Sequence, residues 1–254
     1  MFRNSKARKP WTFSPWSFTG WQAILMLAVA MVAPRVRAYE GIDPNLLRKN
    51  IGQTIEDARK YINDPINLQG YVYDNLRVVG DDPRVLDFYG EVIRKSTNSL
   101  SMNHTLSALN SISEFYLQDK KRVRQIERIS QEAARKGDGL VQIDSYKVID
   151  GLSNADKRYR EEAHKGYRRI LSAKHPLEGD KKHKDNCVMV VQALLQSSPL
   201  DIHDIEAIKD ATNRMDLLVY FKTEWLPLFS PRDAGQRVLA GWLGVLNAKK
   251  QVAP

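Results

Sequence analysis

The sequence predicts an all-α protein built of antiparallel helical bundles, with a four-helix-bundle-like first half and a second helical module. Three observations lead there. Apolar residues recur at steps of three and four along most of the 254-residue chain. Asp-Pro pairs and other capping residues punctuate these stripes at short intervals. No convincing run of alternating apolar and polar residues marks a sheet. At 43% hydrophobic and 27% charged, the composition excludes wholesale disorder, collagen-like fibre and low complexity. The single cysteine excludes an intramolecular disulfide framework and any multi-cysteine zinc or iron–sulfur site.

Residues 1–38 read as an export signal. A basic start (FRNSKARKPW) precedes an apolar core from Trp21 to Ala33, which Pro34 breaks. Val36-Arg37-Ala38 then offers a small-x-small cleavage site, so cleavage is expected near Ala38 and the mature chain begins YEGIDP. The apolar run is too short to span a bilayer comfortably. The other reading is an uncleaved anchor, with Trp11, Trp16 and Trp21 in the membrane interface.

The elements follow in order. Asp43-Pro44 caps a helix whose apolar face is Leu47, Ile51, Ile55, Ala58 and Ile62, ending at Asp64-Pro65. Leu68, Val72, Leu76 and Val79 repeat the spacing, although YVYDNLRVV also fits a strand, and Gly80 closes the segment. Asp82-Pro83 opens a helix with Val85, Phe88, Tyr89, Val92 and Ile93 inside. Ser101 is read as the cap of the next, with Met102, Leu106, Leu109, Ile112 and Tyr116 as its stripe. Asp119 opens a fifth, carrying Val123, Ile126, Ile129 and Ala133 and ending at Gly137. A long helix over about 145–173 then follows from Val148, Leu152, Ala155, Tyr159, Ala163, Tyr167 and Ile170. HPLEGDKKHKD reads as a charged loop and 186–196 as a short apolar helix. Pro199 breaks that helix, and Asp201 caps another with Ile205, Ile208, Met215 and Val219. Ser230-Pro231 begins the last, with Val238, Trp242, Val245 and Leu246 on one side. Gly137-Asp138-Gly139 is the best hinge, which divides the chain into 1–38, 39–138 and 139–254.

Charge argues against a nucleic-acid partner. The net charge is +9, but residues 1–38 hold six basic residues and no acidic ones, leaving 33 basic against 30 acidic in the remainder. The densest basic cluster of the mature chain is Lys120, Lys121, Arg122 and Arg124, extended along one helix by Arg128, Arg135 and Lys136. It reads either as a solvated helix face or as a surface that docks on an acidic protein or lipid partner. Aromatic side chains for base stacking are not interleaved with it. Tyr220, Phe221, Trp225 and Phe229 form a second candidate contact surface, against the reading of core packing around Pro227.

Catalytic motifs are sparse. There is no phosphate-binding glycine loop, no G-x-S-x-G elbow and no H-E-x-x-H. Glu161 and His164, at i and i+3, resemble one half of a di-metal site of the kind helical bundles hold, but a second copy is absent. His175, His183 and His203 with Asp180 and Asp185 lack regular ligand spacing. Cys187 opens the apolar run CVMVV and reads as a buried small hydrophobe. Asn103-His104-Thr105 matches a glycosylation acceptor but falls inside an expected helix.

Three stretches between residues 81 and 137 carry a likeness to a known family. They are DDPRVLDFYGEVIRKSTNSL, SMNHTLSALNSISEFYL and KKRVRQIERISQEAARKG. Ala108-Leu109-Asn110-Ser111 with Tyr116, and the basic final helix ending in Lys136-Gly137, are the closest points. This region resembles the small photosystem II assembly and repair factors of the thylakoid lumen, a family of four-helix bundles. Residues 51–80 are similar, more loosely, to the family's first helix. Glu114-Phe115 stand where the family has Gly-His, and the loop before the last helix is shortened to Gln118-Asp119. Residues 141–254 have no counterpart, and the lipid-anchoring cysteine of cyanobacterial members is missing.

The resemblance implies a non-enzymatic protein without cofactors, located in the thylakoid lumen or a periplasm. Its implied partners are photosystem II subunits on the lumenal face and, peripherally, the thylakoid membrane surface. The residues expected to make the contact are Lys120, Lys121, Arg122, Arg124 and Arg128. Two rivals stand beside it: a periplasmic helical scaffold or binding protein unrelated to photosynthesis, and a helical metalloenzyme using Glu161 and His164.

Overall fold

Aspartates set the helix starts. Asp64, Asp82, Asp119, Asp138, Asp180 and Asp201 each stand one residue before a helix and accept a backbone N–H from its first turn. Proline follows the first two, where its fixed φ suits a first helical turn and its missing N–H costs nothing. The computed structural model describes residues 43–173, 180–197, 199–230 and 232–248, and among them every regular element is helical. In order they are α1 Pro44–Arg59, α2 Pro65–Gln69, α3 Pro83–Lys95, α4 Ser99–Ile112, α5 Lys120–Lys136 and α6 Gly139–Gly151. Then come α7 Arg158–Ser172, α8 Lys181–Gln196, α9 Ile202–Met215, α10 Leu217–Tyr220 and α11 Arg232–Asn247. The expected all-α helical-bundle class is the one the chain adopts. Residues 1–38, read above as an export signal, lie outside the described residues. Among the described residues no helix is long and apolar enough to cross a membrane.

From Pro44 onward the chain forms one compact unit, with α6 at its centre. That helix packs along α4, α5, α7 and α8. Val141, Ile143, Val148 and Ile149 are all buried, and they point to more than one side of the helix, as a central rod requires. On one side α3 packs on α4 and α5, with α1 laid across α3. On the other, α7 packs on α8 and α9, and α11 closes over both of those helices. The approach of α7 to α6 needs a glycine. A Cβ on Gly166 would sit 2.3 Å from the Tyr146 ring, which instead meets Tyr167 edge-on at 5.8 Å.

Several expectations are corrected. Asn98, not Ser101, caps α4: its Oδ1 accepts from Leu100 and Ser101, and the Ser101 side chain is buried inside the helix. The long helix over 145–173 is two helices. A 3₁₀ turn at Leu152–Asn154 folds α7 back, and Asp156 accepts the Arg158 N–H at the new start. The apolar spacing survives the break, but Ala155 is exposed on the turn. Residues 181–185, expected in a loop, form the first turn of α8, because Asp180 caps it. The α9 stripe stops at Met215, since Asp216 adopts the left-handed conformation (φ 51°) and turns the chain; Val219 lies beyond it, exposed. The residues expected as either a strand or a helix at 71–79 are helical.

Two segments share one design. In the first, α2 runs into a π turn (Gly70–Asn75), a 3₁₀ turn (Leu76–Val79) and then α3. In the second, α10 runs into a π turn (Phe221–Trp225), a 3₁₀ turn (Leu226–Leu228) and then α11. The long helices also match in sequence: RVLDFYGEVI from Arg84 and RVLAGWLGVL from Arg237. Tyr89 and Trp242 fall at the same place in the two, and both are fully buried. Each finds a partner for its polar tip: Tyr89 Oη donates to the Val72 carbonyl at 2.8 Å, and Trp242 Nε1 to Thr212 Oγ1 at 3.0 Å.

Candidate functional site

The helix that carries the expected contact residues is α5. Its apolar residues Val123, Ile126, Ile129 and Ala133 are buried, so the opposite arc faces water. At 100° per residue, Lys120, Lys121, Arg124, Arg128 and Arg135 fall within an arc of about 100°, over a length of about 22 Å. All five are exposed, and none has an ion-pair partner among the described residues. Elsewhere Arg48, Arg59, Arg84, Arg160 and Arg168 each hold a carboxylate. Arg122 leaves the arc: it is half-buried, 3.5 Å from Asp87, and donates to Gln125. Lys136 leaves it too. Its ammonium donates to the carbonyls of Ile93 (2.8 Å) and Arg94 (2.7 Å), closing the C-terminal end of α3. The structure thus brings Lys120, Lys121, Arg124 and Arg128 together on one face and gives Arg122 and Lys136 internal tasks.

The other candidates are consumed by the fold. Phe221 is buried against Phe229 and Trp242. Tyr220 Oη and Trp225 Nε1 both donate to Asp185 Oδ1, at 2.7 and 2.8 Å, fixing the second π turn to α8. The His183 ring lies 3.8 Å from the Cys187 sulfur, both buried, and burial pushes the thiol up to about 11. His203 is exposed and His175 lies outside the described residues. Glu161 faces solvent while His164 turns inward, so the two do not converge. Among the described residues no group of histidine, cysteine and carboxylate side chains is arranged to hold a metal ion. Asn103, half-buried, donates to the Asp144 carboxylate.

A polar cluster that the sequence reading missed joins α7 to the α8–α9 connection. His164 Nδ1 lies 2.7 Å from Asp204 Oδ2, and His164 Nε2 lies 2.7 Å from Ser197 Oγ. Their exposures are 4% for His164, 7% for Ser197 and 0% for Asp204, so all three work largely out of water. Arg168, one turn along α7, donates to Asp204 Oδ1 at 2.6 Å and to Asp201 at 3.2 Å. Asp204 and Asp201 also cap α9 reciprocally. Burial alone would push the Asp204 carboxyl up. Bonds from His164, the Asp201 N–H and Arg168 more than offset this and leave it below the usual carboxylate range. An ionised Asp204 only accepts, so Nδ1 carries the ring proton, and in the neutral ring Nε2 accepts the Ser197 hydroxyl. The only local signal was a histidine and an arginine at i and i+4 beside the apolar stripe of α7. The partners are 33 and 40 residues away.

Among known protein families, curated proteins and solved structures, none matches this chain.

Proposed function

We propose that this chain is an exported docking protein that associates with photosystem II on its lumenal side during assembly, repair or stabilisation. Its contact surface is the outer arc of α5, and its target is an acidic protein face. The observation that carries this reading is the arc itself: five exposed cations in one stripe, with no carboxylate among the described residues paired to them. Holding like charges together is unfavourable unless a partner of opposite sign covers them, and such faces steer association. The resemblance at residues 81–137 supplies the identity of the partner, because α3, α4 and α5 are the helices that carry it. In this reading residues 1–38 are the address and are cleaved near Ala38. The bundle itself contributes no reaction to docking.

The test is a pull-down from photosynthetic membranes with the tagged mature chain, at low and high salt, beside the variant K121E/R124E/R128E. Photosystem II subunits are expected at low salt and lost at high salt, since exposed charges are screened. The variant is expected to bind at least about tenfold more weakly. Capture that ignores both salt and charge reversal, or partners unrelated to photosystem II, overturns the proposal.

A further inference from the structure

The Ser197–His164–Asp204 cluster has the connectivity of an acyl-transfer triad. Hydroxyl, imidazole and carboxylate are linked in series by two 2.7 Å bonds, and the carboxylate is held by further donors. Such a constellation is recognised by geometry and not by order along the chain. A clamp between α7 and α9 does not need it, because Arg168 already bridges α7 to both Asp201 and Asp204. Ser197 ends α8 with φ −84° and ψ 14°, in the sparsely used bridge region where many active-site residues sit. Ser197 is 7% exposed and follows the exposed Gln196 at the end of the helix.

We propose that Ser197 is a nucleophile toward acyl esters, with His164 as its general base and Asp204 as the group that holds the imidazole tautomer. This is independent of the docking reading. The Ser197 oxygen forms a bond to the acyl carbon while its proton passes to His164 Nε2. The ester C–O bond then breaks, and the departing alkoxide takes that proton from Nε2. Water repeats the sequence: its oxygen bonds to the acyl carbon, its proton goes to Nε2 and on to Ser197, and the carboxylic acid leaves.

The full mature chain is treated with a fluorophosphonate probe, in which a Ser197 O–P bond replaces the P–F bond and fluoride leaves. Intact mass should show one adduct, mapped to Ser197 by peptide sequencing, and none after prior unfolding in urea. S197A should abolish it. D204N should slow labelling by at least about a hundredfold. Circular dichroism on each variant shows whether it is folded; the comparison of native with unfolded wild-type protein decides the matter even if a variant does not fold. Folded wild-type protein that takes no label overturns the proposal. So does label that lands elsewhere or persists equally after unfolding.

Discussion

The Tyr116 hydroxyl donates to the Gly80 carbonyl oxygen at 2.7 Å, joining the turn before α5 to the turn before α3 across 36 residues. Both groups are inside, and burial pushes the phenol up to about 12, so it stays a donor at any ordinary pH. Tyr116→Phe removes the donor and leaves a buried carbonyl unpaired. The expected loss is about 1–2 kcal/mol in urea unfolding. Gly80→Ala is expected to cost about 1–3 kcal/mol for a different reason: its Cβ would lie 2.3 Å from Ile112 Cγ2. In an Ile112→Ala background, which lacks Cγ2, Gly80→Ala should cost less than in the wild-type chain, while the cost of Tyr116→Phe should not fall.

Trp242 is the largest fully buried side chain among the described residues, and its indole N–H reaches Thr212. Trp242→Ala is expected to destabilise by about 3–5 kcal/mol through the cavity it leaves. Thr212→Val keeps the volume but strands the indole N–H, for about 1–3 kcal/mol. Parallel denaturant titrations separate the two effects.

Burial lowers His104 to about 4, from 6.5. Its folded value is depressed, so the unfolded chain binds the extra proton. The neutral ring's contribution is therefore fully present above about pH 6.5 and is lost as pH falls toward 4. Integrated over that window, the loss reaches about 3 kcal/mol. His104→Leu should flatten the stability profile between pH 6.5 and 4. Glu91 and Asp204 are also depressed, but as carboxylates they act lower: their contribution is present above the unfolded carboxylate value and lost as pH drops through the folded one. A residual slope below about pH 4 should therefore survive in the leucine variant.

Reversing Lys121, Arg124 and Arg128 should change folding stability by less than about 0.5 kcal/mol, because these exposed groups hold no partner among the described residues. Lys136→Met, on the same helix, should cost about 1–3 kcal/mol, since it strips a charged donor from two carbonyls of α3. Thermal melts of the two variants should thus diverge although both make the same helix less positive.

What could be read in advance was whatever chemistry acts within one turn. Asp82, Asp119 and Asp201 cap helices where their side chains said they would, and Ile51, Ile55 and Ala58 are buried as their spacing required. What acts across the fold was hidden. Ser101 passes every local test for a cap, yet Asn98 takes the role, because α4 begins earlier and buries the serine. The spacing from Val148 to Ile170 continues through a reversal, since a 3₁₀ turn of three residues preserves the count of apolar positions while turning the chain. Neither π turn leaves a periodic trace, because each lasts a single turn. For the candidate surface, the basic run on α5 was legible but the diversion of Arg122 to Asp87 was not, as that aspartate belongs to α3. His164, Ser197 and Asp204 come from three places in the chain, and only the packing of α7 on α8 and α9 unites them.

The lone thiol carries a practical consequence. Cys187 is fully buried and holds its proton up to about 11, so a thiol dye meets no nucleophile on the intact protein. Whatever colour develops clocks how often α8 parts from its neighbours. The chain comes with its own stopwatch for opening, one that needs no engineered label.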